Sequence, residues 1–136
     1  MSFGYSVGDF ITVVALAWNV YKSCKEAPES YGRISLEVLS LHAVLKEAEE
    51  TVFAQPLSPT KQEHLKAVGD GCYSVLKDLE NLCKTYQNLG TQGKRTWERM
   101  KWGTEDIPEL RTRLISNTVL LTAWIRCGLY PSRSPC

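Results

Sequence analysis

No uncharged stretch of the 136-residue chain reaches the ~18 residues of a membrane-spanning helix, and no basic leader with a small-residue cleavage site opens it. The five cysteines include no CxxC pair, and their odd number leaves at least one thiol unpaired in a monomer. The 16 basic and 15 acidic side chains nearly cancel, so no global field draws the protein onto nucleic acid or an anionic membrane. We therefore expect one domain of ordinary size in a reducing, cytoplasmic compartment.

Catalytic and metal-binding patterns are missing as well. His42 and His64 have no second imidazole one helical turn away, so a helical zinc motif is absent. The glycine pairs at 69–71 and 90–93 lack the Lys-Ser/Thr of a phosphate-binding loop and follow no predicted strand. We predict that the protein is not an enzyme, with no catalytic residue, cofactor, metal or small-molecule substrate.

Apolar residues spaced alternately by three and four are the strongest signal that the sequence does contain. This spacing lines up one apolar stripe along a helix, which must be buried against partner helices. Three stripes have the pattern: Ile34, Val38, Leu41, Leu45, Ala48 and Val52; Leu65, Val68, Cys72, Val75, Leu79, Leu82 and Tyr86; and Ile107, Leu110, Leu114, Leu121 and Trp124. With a first apolar segment they predict an all-α four-helix bundle of long helices.

The first predicted helix has no charge at all over residues 10–21. Ser6 can cap its first turn, Asp9 suits the positive end of its dipole, and Pro28 stops it from continuing. Because it is apolar on nearly every side, we expect neighbouring helices to cover it on several sides. The same composition also suits a helix that leaves the bundle and enters a membrane.

Turn residues divide the remaining chain into helices at about 29–53, 58–88 and 104–128, the last one capped by Thr104. Ser58 followed by Pro59 predicts an N-cap and a first helical residue, with a capping box at 60–63 as the alternative. Gly69 and Gly71 fall inside the third helix and indicate either close helix packing, a local kink, or a turn at Asp70 that splits the helix. We expect a bundle domain at 1–128 and an irregular tail at 129–136.

A short basic and aromatic segment lies before the last helix. Its candidate surface residues are Lys94, Arg95, Trp97, Arg99, Lys101 and Trp102. Cations that neutralise phosphates beside indoles that stack on bases suit single-stranded nucleic acid, and basic residues beside tryptophan also suit phospholipid head groups. The cluster is short and acidic residues follow it directly, which favours a connector whose tryptophans close one end of the bundle. Nucleic-acid binding is therefore not expected.

Three segments together resemble a known family: MSFGYSVGDFI at 1–11, SLHAVLKE at 40–47 and WERMKWGTEDIPELRTRLISN at 97–117. They look like the fungal N-terminal helical domain that precedes NLR-like (STAND) signalling ATPases and ankyrin arrays, and that also occurs alone. The likeness covers the chain to about Cys127. The sequence after that point fits both a piece of such a protein and a free-standing bundle.

The resemblance implies a four-helix bundle similar to the HeLo and HeLo-like cell-death domains, in which a sensor drives assembly and the N-terminal helix attacks a membrane. It brings no catalytic residues. The implied function is a non-enzymatic signalling bundle of fungal innate immunity or incompatibility, with self-association or another helical domain as partner and membrane lipid as a further one on activation. The implied contact residues are Phe3, Tyr5, Phe10, Val14, Leu16, Trp18 and Tyr21. The alternative is a purely structural protein–protein adaptor without membrane activity.

Overall fold

Four helices make up the structure, a computed structural model that describes residues 7–25, 32–54, 57–87 and 107–129. They are α1 (Val7–Lys25), α2 (Gly32–Ala54), α3 (Pro59–Gln87) and α4 (Ile107–Leu129). These described residues contain no strand, and the helices pack against one another. The predicted all-α four-helix bundle is confirmed. Ser6, Thr104, the segment at 94–102 and residues 130–136 of the predicted tail lie outside the described residues, and Leu129, predicted as the first residue of that tail, is the last residue of α4.

The start of α3 follows the predicted turn chemistry. The backbone N–H of Lys61 donates to Ser58 Oγ at 3.1 Å, and that of Gln62 donates to the Ser58 carbonyl at 2.9 Å. Ser58 is therefore the N-cap, and Pro59 is the first helical residue, where its missing N–H costs no hydrogen bond.

Glycine inside α3 serves close helix packing. The helix runs without interruption through Gly71, which excludes the alternative of a turn at Asp70 and leaves close packing or a kink. A Cβ atom at Gly71 would stand 2.5 Å from Asn117 Oδ1 on α4, closer than real Cβ atoms come to non-bonded heavy atoms of other residues. The absence of a side chain at Gly71 lets the two helices approach at this level.

The core is built from the predicted stripes. Each stripe residue with a described side chain is buried, apart from Val52 and Val68, which are partly buried against the core. α1 adds Phe10, Val13, Val14, Leu16, Ala17, Val20 and Cys24, and the stripe positions are joined by Leu76, Cys83 and Ile125. Ser35 is the polar residue buried with them.

The helices occupy the corners of a square in the order α1, α2, α4, α3. The strong contacts are α1 with α2 and α3, and α4 with α2 and α3, which leaves α1 and α4 at opposite corners. Glu37 and Arg111, each near the start of its helix, are bonded to each other, so α2 and α4 run in the same direction. The Sγ atoms of Cys24 and Cys83, near two helix ends, lie 3.6 Å apart, so α1 and α3 are parallel too.

Polar contacts fix α4 on both sides. Arg111 donates three hydrogen bonds of 2.7–3.1 Å to the carboxylate of Glu37 on α2. Arg113 reaches α3, where it pairs with Asp78 at 2.8 Å. The bidentate geometry of the arginine fork sets the register of α4 as well as its position.

The C-terminal half of α4 is joined to the start of α3 by a reciprocal contact. Lys61 Nζ donates to the Trp124 carbonyl at 2.7 Å and lies 4.3 Å from the centre of its indole ring. Trp124 Nε1 donates in turn to the Lys61 carbonyl at 3.1 Å. Partial burial in this contact lowers the pKa of Lys61.

Candidate interaction surfaces

The outer face of α1 is less covered than its sequence predicts. Among the described residues α1 packs strongly against two helices, and the third side is left to solvent. Ile11 and Trp18, 43% and 41% exposed, lie on this side with Ala15. Thr12, which is exposed as well, donates its hydroxyl to the Gly8 carbonyl at 3.0 Å, so the hydroxyl is satisfied within the helix. We expected neighbouring helices to cover α1 on several sides; among the described residues, α2 and α3 cover two sides of it.

The residues predicted to contact a membrane or a partner fall into three groups. Phe10, Val14 and Leu16 are buried in the core, and Tyr21 is partly buried against it. Trp18 is the one with a large exposed surface. Phe3 and Tyr5 lie outside the described residues. Apart from Trp18, therefore, the described candidates reach a partner only if α1 leaves the bundle.

Aromatic contacts join the exposed side of α1 to α2. The Trp18 ring lies 5.3 Å from the Tyr21 ring and 5.1 Å from the imidazole of His42. Partial burial lowers the pKa of His42, the charge of Lys46 lowers it further, and Glu49 opposes them. Burial and Lys46 together therefore favour the neutral imidazole at this position.

The outer face of α4 is a second apolar surface, and we call it the α4 face. It contains the exposed side chains Ile115, Val119 and Leu120, at 48%, 60% and 54% exposure, together with Thr112, Ser116 and Ala123. Thr112 donates its hydroxyl to the Pro108 carbonyl at 3.0 Å, so the hydroxyl is satisfied within the helix. Glu109 stands in the first turn of α4 and Arg126 toward its end, so charge flanks the α4 face at both ends.

Sequence reasoning missed the α4 face although a signal for it exists. Residues 114–125 form a run without any charge, as residues 10–21 do. The buried stripe predicts only one side of this run. Buried residues at 114, 121, 124 and 125 account for one side of it, and the apolar residues at 115, 119 and 120 are more than that stripe requires. Such an excess is typical of an interaction surface.

An open groove of about 380 Å³ lies between α1 and α3, lined by Asp9, Thr12, Val13, Lys66, Asp70 and Tyr73. Lys66 Nζ is paired with Asp70 Oδ2 at 2.8 Å. The lining offers no cysteine, histidine or serine to act as a nucleophile or base beside these ions.

Within the described residues no three histidine, cysteine or carboxylate side chains stand close enough to hold a metal ion together. Nor does any described helix have the length and apolar character needed to span a membrane.

Comparison of the chain with protein-family models, with curated proteins and with solved structures found no match.

Proposed function

We propose that this protein is a non-enzymatic signalling bundle of the fungal incompatibility or innate-immunity type, which self-associates through the α4 face. One observation carries the proposal: three large apolar side chains stand exposed along one helix with no charge among them. Burying them against a second copy would release about 1 kcal/mol or more for each half-exposed side chain. The resemblance to sensor-driven helical bundles supports the same conclusion.

A two-fold antiparallel pairing of α4 with α4 of a second copy suits the charges. With the axis between residues 117 and 118, Ile115 of one copy lies opposite Leu120 of the other, and Ser116 opposite Val119. The same register brings Arg126 to the N-terminal turn of the second α4, near Glu109, where a cation and a carboxylate attract. The two helix dipoles are then antiparallel, which is also favourable.

A charge exchange at Val119 tests this pairing. Residue 119 lies next to the proposed axis, so the two copies of it lie within about one helical turn of each other across the interface, where equal charges repel. Val119→Glu and Val119→Lys should each weaken self-association at least about tenfold in sedimentation experiments. An equimolar mixture should restore it, because opposite charges then face each other.

Ala43→Glu is the matched control, since residue 43 is exposed on α2 and away from the α4 face. It should leave association unchanged. A wild-type protein that stays monomeric at several hundred micromolar, or a mixture that behaves like its components, would contradict the pairing.

Membrane action through α1 is the second half of the proposed function. Its cost is the removal of α1 from the core. Five large side chains of α1 are buried, and exposing each to water costs about 2 kcal/mol, hence about 10 kcal/mol in all. α1 therefore leaves the bundle only when lipid or assembly compensates, which is the behaviour expected of a triggered effector.

Dye release from phospholipid vesicles tests this half. Ile11→Glu places a charge on the exposed side of α1 and keeps the buried side intact, so the variant should fold and release less dye than the wild type. Leu16→Glu would place a charge in the core, so a loss of dye release by that variant could result from unfolding as well as from a loss of membrane activity. Absence of release by a folded wild-type protein, at concentrations where it self-associates, would remove the membrane half.

A structural adaptor without membrane activity is the alternative, and the α4 face is also what would support it. In that case Val119→Glu should abolish capture of a helical partner domain, while Ile11→Glu should leave capture unchanged.

A further inference from the structure

Two buried thiols from distant parts of the chain meet between α1 and α3. The Sγ atoms of Cys24 and Cys83, 59 residues apart in sequence, are 3.6 Å from each other. Both side chains are 4% exposed. A disulfide has an S–S length of about 2.05 Å, so the sulfur atoms need to approach by roughly 1.5 Å. Rotamer adjustment and a small shift of two helix ends can supply that movement.

The position of the pair gives an oxidant a route to it. Cys24 is in the last turn of α1, which ends at Lys25, and Cys83 is four residues before the end of α3. Helix ends open locally far more often than helix centres. Cys72 provides a contrast, because it is fully buried in the middle of α3.

The two thiols also differ in acidity. Their shared hydrogen bond lowers the pKa of Cys83 and, together with burial, raises the pKa of Cys24. When Cys83 loses its proton, the Cys24 thiol is the group that can donate to the thiolate. For Cys72, burial alone raises the pKa to about 12. Since the thiolate is the reactive form, Cys83 is the sulfur suited to react first.

We propose that Cys24 and Cys83 are a redox modification site, at which a peroxide converts the two thiols into a reversible disulfide that fixes the end of α1 to α3. The Cys83 thiolate attacks one peroxide oxygen, the O–O bond breaks, and a sulfenic acid and hydroxide form. The Cys24 sulfur then attacks the Cys83 sulfur, its proton goes to the leaving hydroxide, and water departs. In total two thiols and one hydrogen peroxide give one disulfide and two waters.

The disulfide has a consequence for α1 that rests on the proposed function. Once bonded to α3, α1 cannot separate as an intact helix from the rest of the bundle. The oxidised protein should therefore be held in the inactive form, and reduction should release it. Closing a loop of about 60 residues also restricts the unfolded chain, which stabilises the folded protein.

Peroxide treatment of the folded 136-residue chain tests the chemistry. We expect a loss of about 2 Da, a linked peptide containing Cys24 and Cys83, and a melting temperature higher by on the order of 10 °C. Dithiothreitol should reverse all three. Cys24→Ala and Cys83→Ala should each abolish the linked peptide and the thermal shift, whereas Cys72→Ala, the matched control, should retain both.

The outcomes separate this proposal from the proposed function. Persistence of both thiols, or oxidation of Cys83 to a sulfinic acid without linkage to Cys24, would overturn the disulfide. Equal dye release by linked and reduced protein would overturn the restraint on α1. Linkage with a thermal shift, but no dye release from either form, would uphold the disulfide and count against membrane action instead.

Discussion

Gly71 lies close to Asn117 of α4, and a side-chain carbon at position 71 would collide with the Asn117 amide. Alanine is favoured over glycine inside a helix by about 1 kcal/mol, yet at position 71 it would meet the Asn117 amide. Asn117 cannot easily turn aside, because its Nδ2 donates to the Arg113 carbonyl at 2.8 Å. The preference for glycine here thus comes from a specific neighbour on α4.

We expect Gly71→Ala alone to lower the free energy of unfolding by about 1 kcal/mol, because the clash and the lost hydrogen bond outweigh the helix preference. In an Asn117→Ala background the same change should raise it by about 0.5–1 kcal/mol, since the obstacle is gone. Urea unfolding of the four proteins in this cycle measures the coupling. An equal effect of Gly71→Ala in both backgrounds would refute it.

The contact between α1 and α2 should respond to pH through His42. Its pKa is lowered in the folded protein by burial and by Lys46, relative to about 6.5 in the unfolded chain. The unfolded chain therefore takes up the proton first as pH falls. Stability contributed by the neutral ring is present above about pH 6.5 and is lost below it, until the folded pKa is passed.

Melting temperatures at pH 7.5, 6.5 and 5.5 measure this effect. The wild type should lose more stability across that range than His42→Gln, which has no imidazole at the contact with Trp18. His64→Gln alters an exposed residue of α3 and serves as the control, with a slope like that of the wild type. Identical slopes for wild type and His42→Gln would show that the contact does not depend on charge.

Individual helices were largely predictable from sequence because their information is local. The stripes at steps of three and four identified the buried side of α2, α3 and α4, and Ser58 with Pro59 identified the start of α3. The exposed side of α4 was not identified, because a stripe shows which residues a helix buries and is silent about apolar residues beyond it. The same limit applied to Gly71, where spacing alone left close packing, a kink and a turn open.

The arrangement of the whole bundle was beyond the reach of sequence patterns. The apolar surface of α1 fits a groove on any amphipathic partner, so nothing in its sequence selects α2 and α3 as neighbours over α4. The pairing of Cys24 with Cys83 depends on that choice, because it exists only when α1 and α3 lie side by side in the same direction. The Arg111 contact with Glu37 likewise joins residues far apart in the chain.

The diagonal placement of α1 and α4 has a mechanical consequence. Withdrawal of α1 would expose the inner sides of α2 and α3, yet α4 would keep its contacts through Arg111 and Arg113 with those same two helices. In the proposed dimer, α2, α3 and α4 could thus stay bound to the second copy through the α4 face while α1 inserts into a membrane. Under this proposal, self-association through α4 and release of α1 would be independent events, and each could be regulated separately.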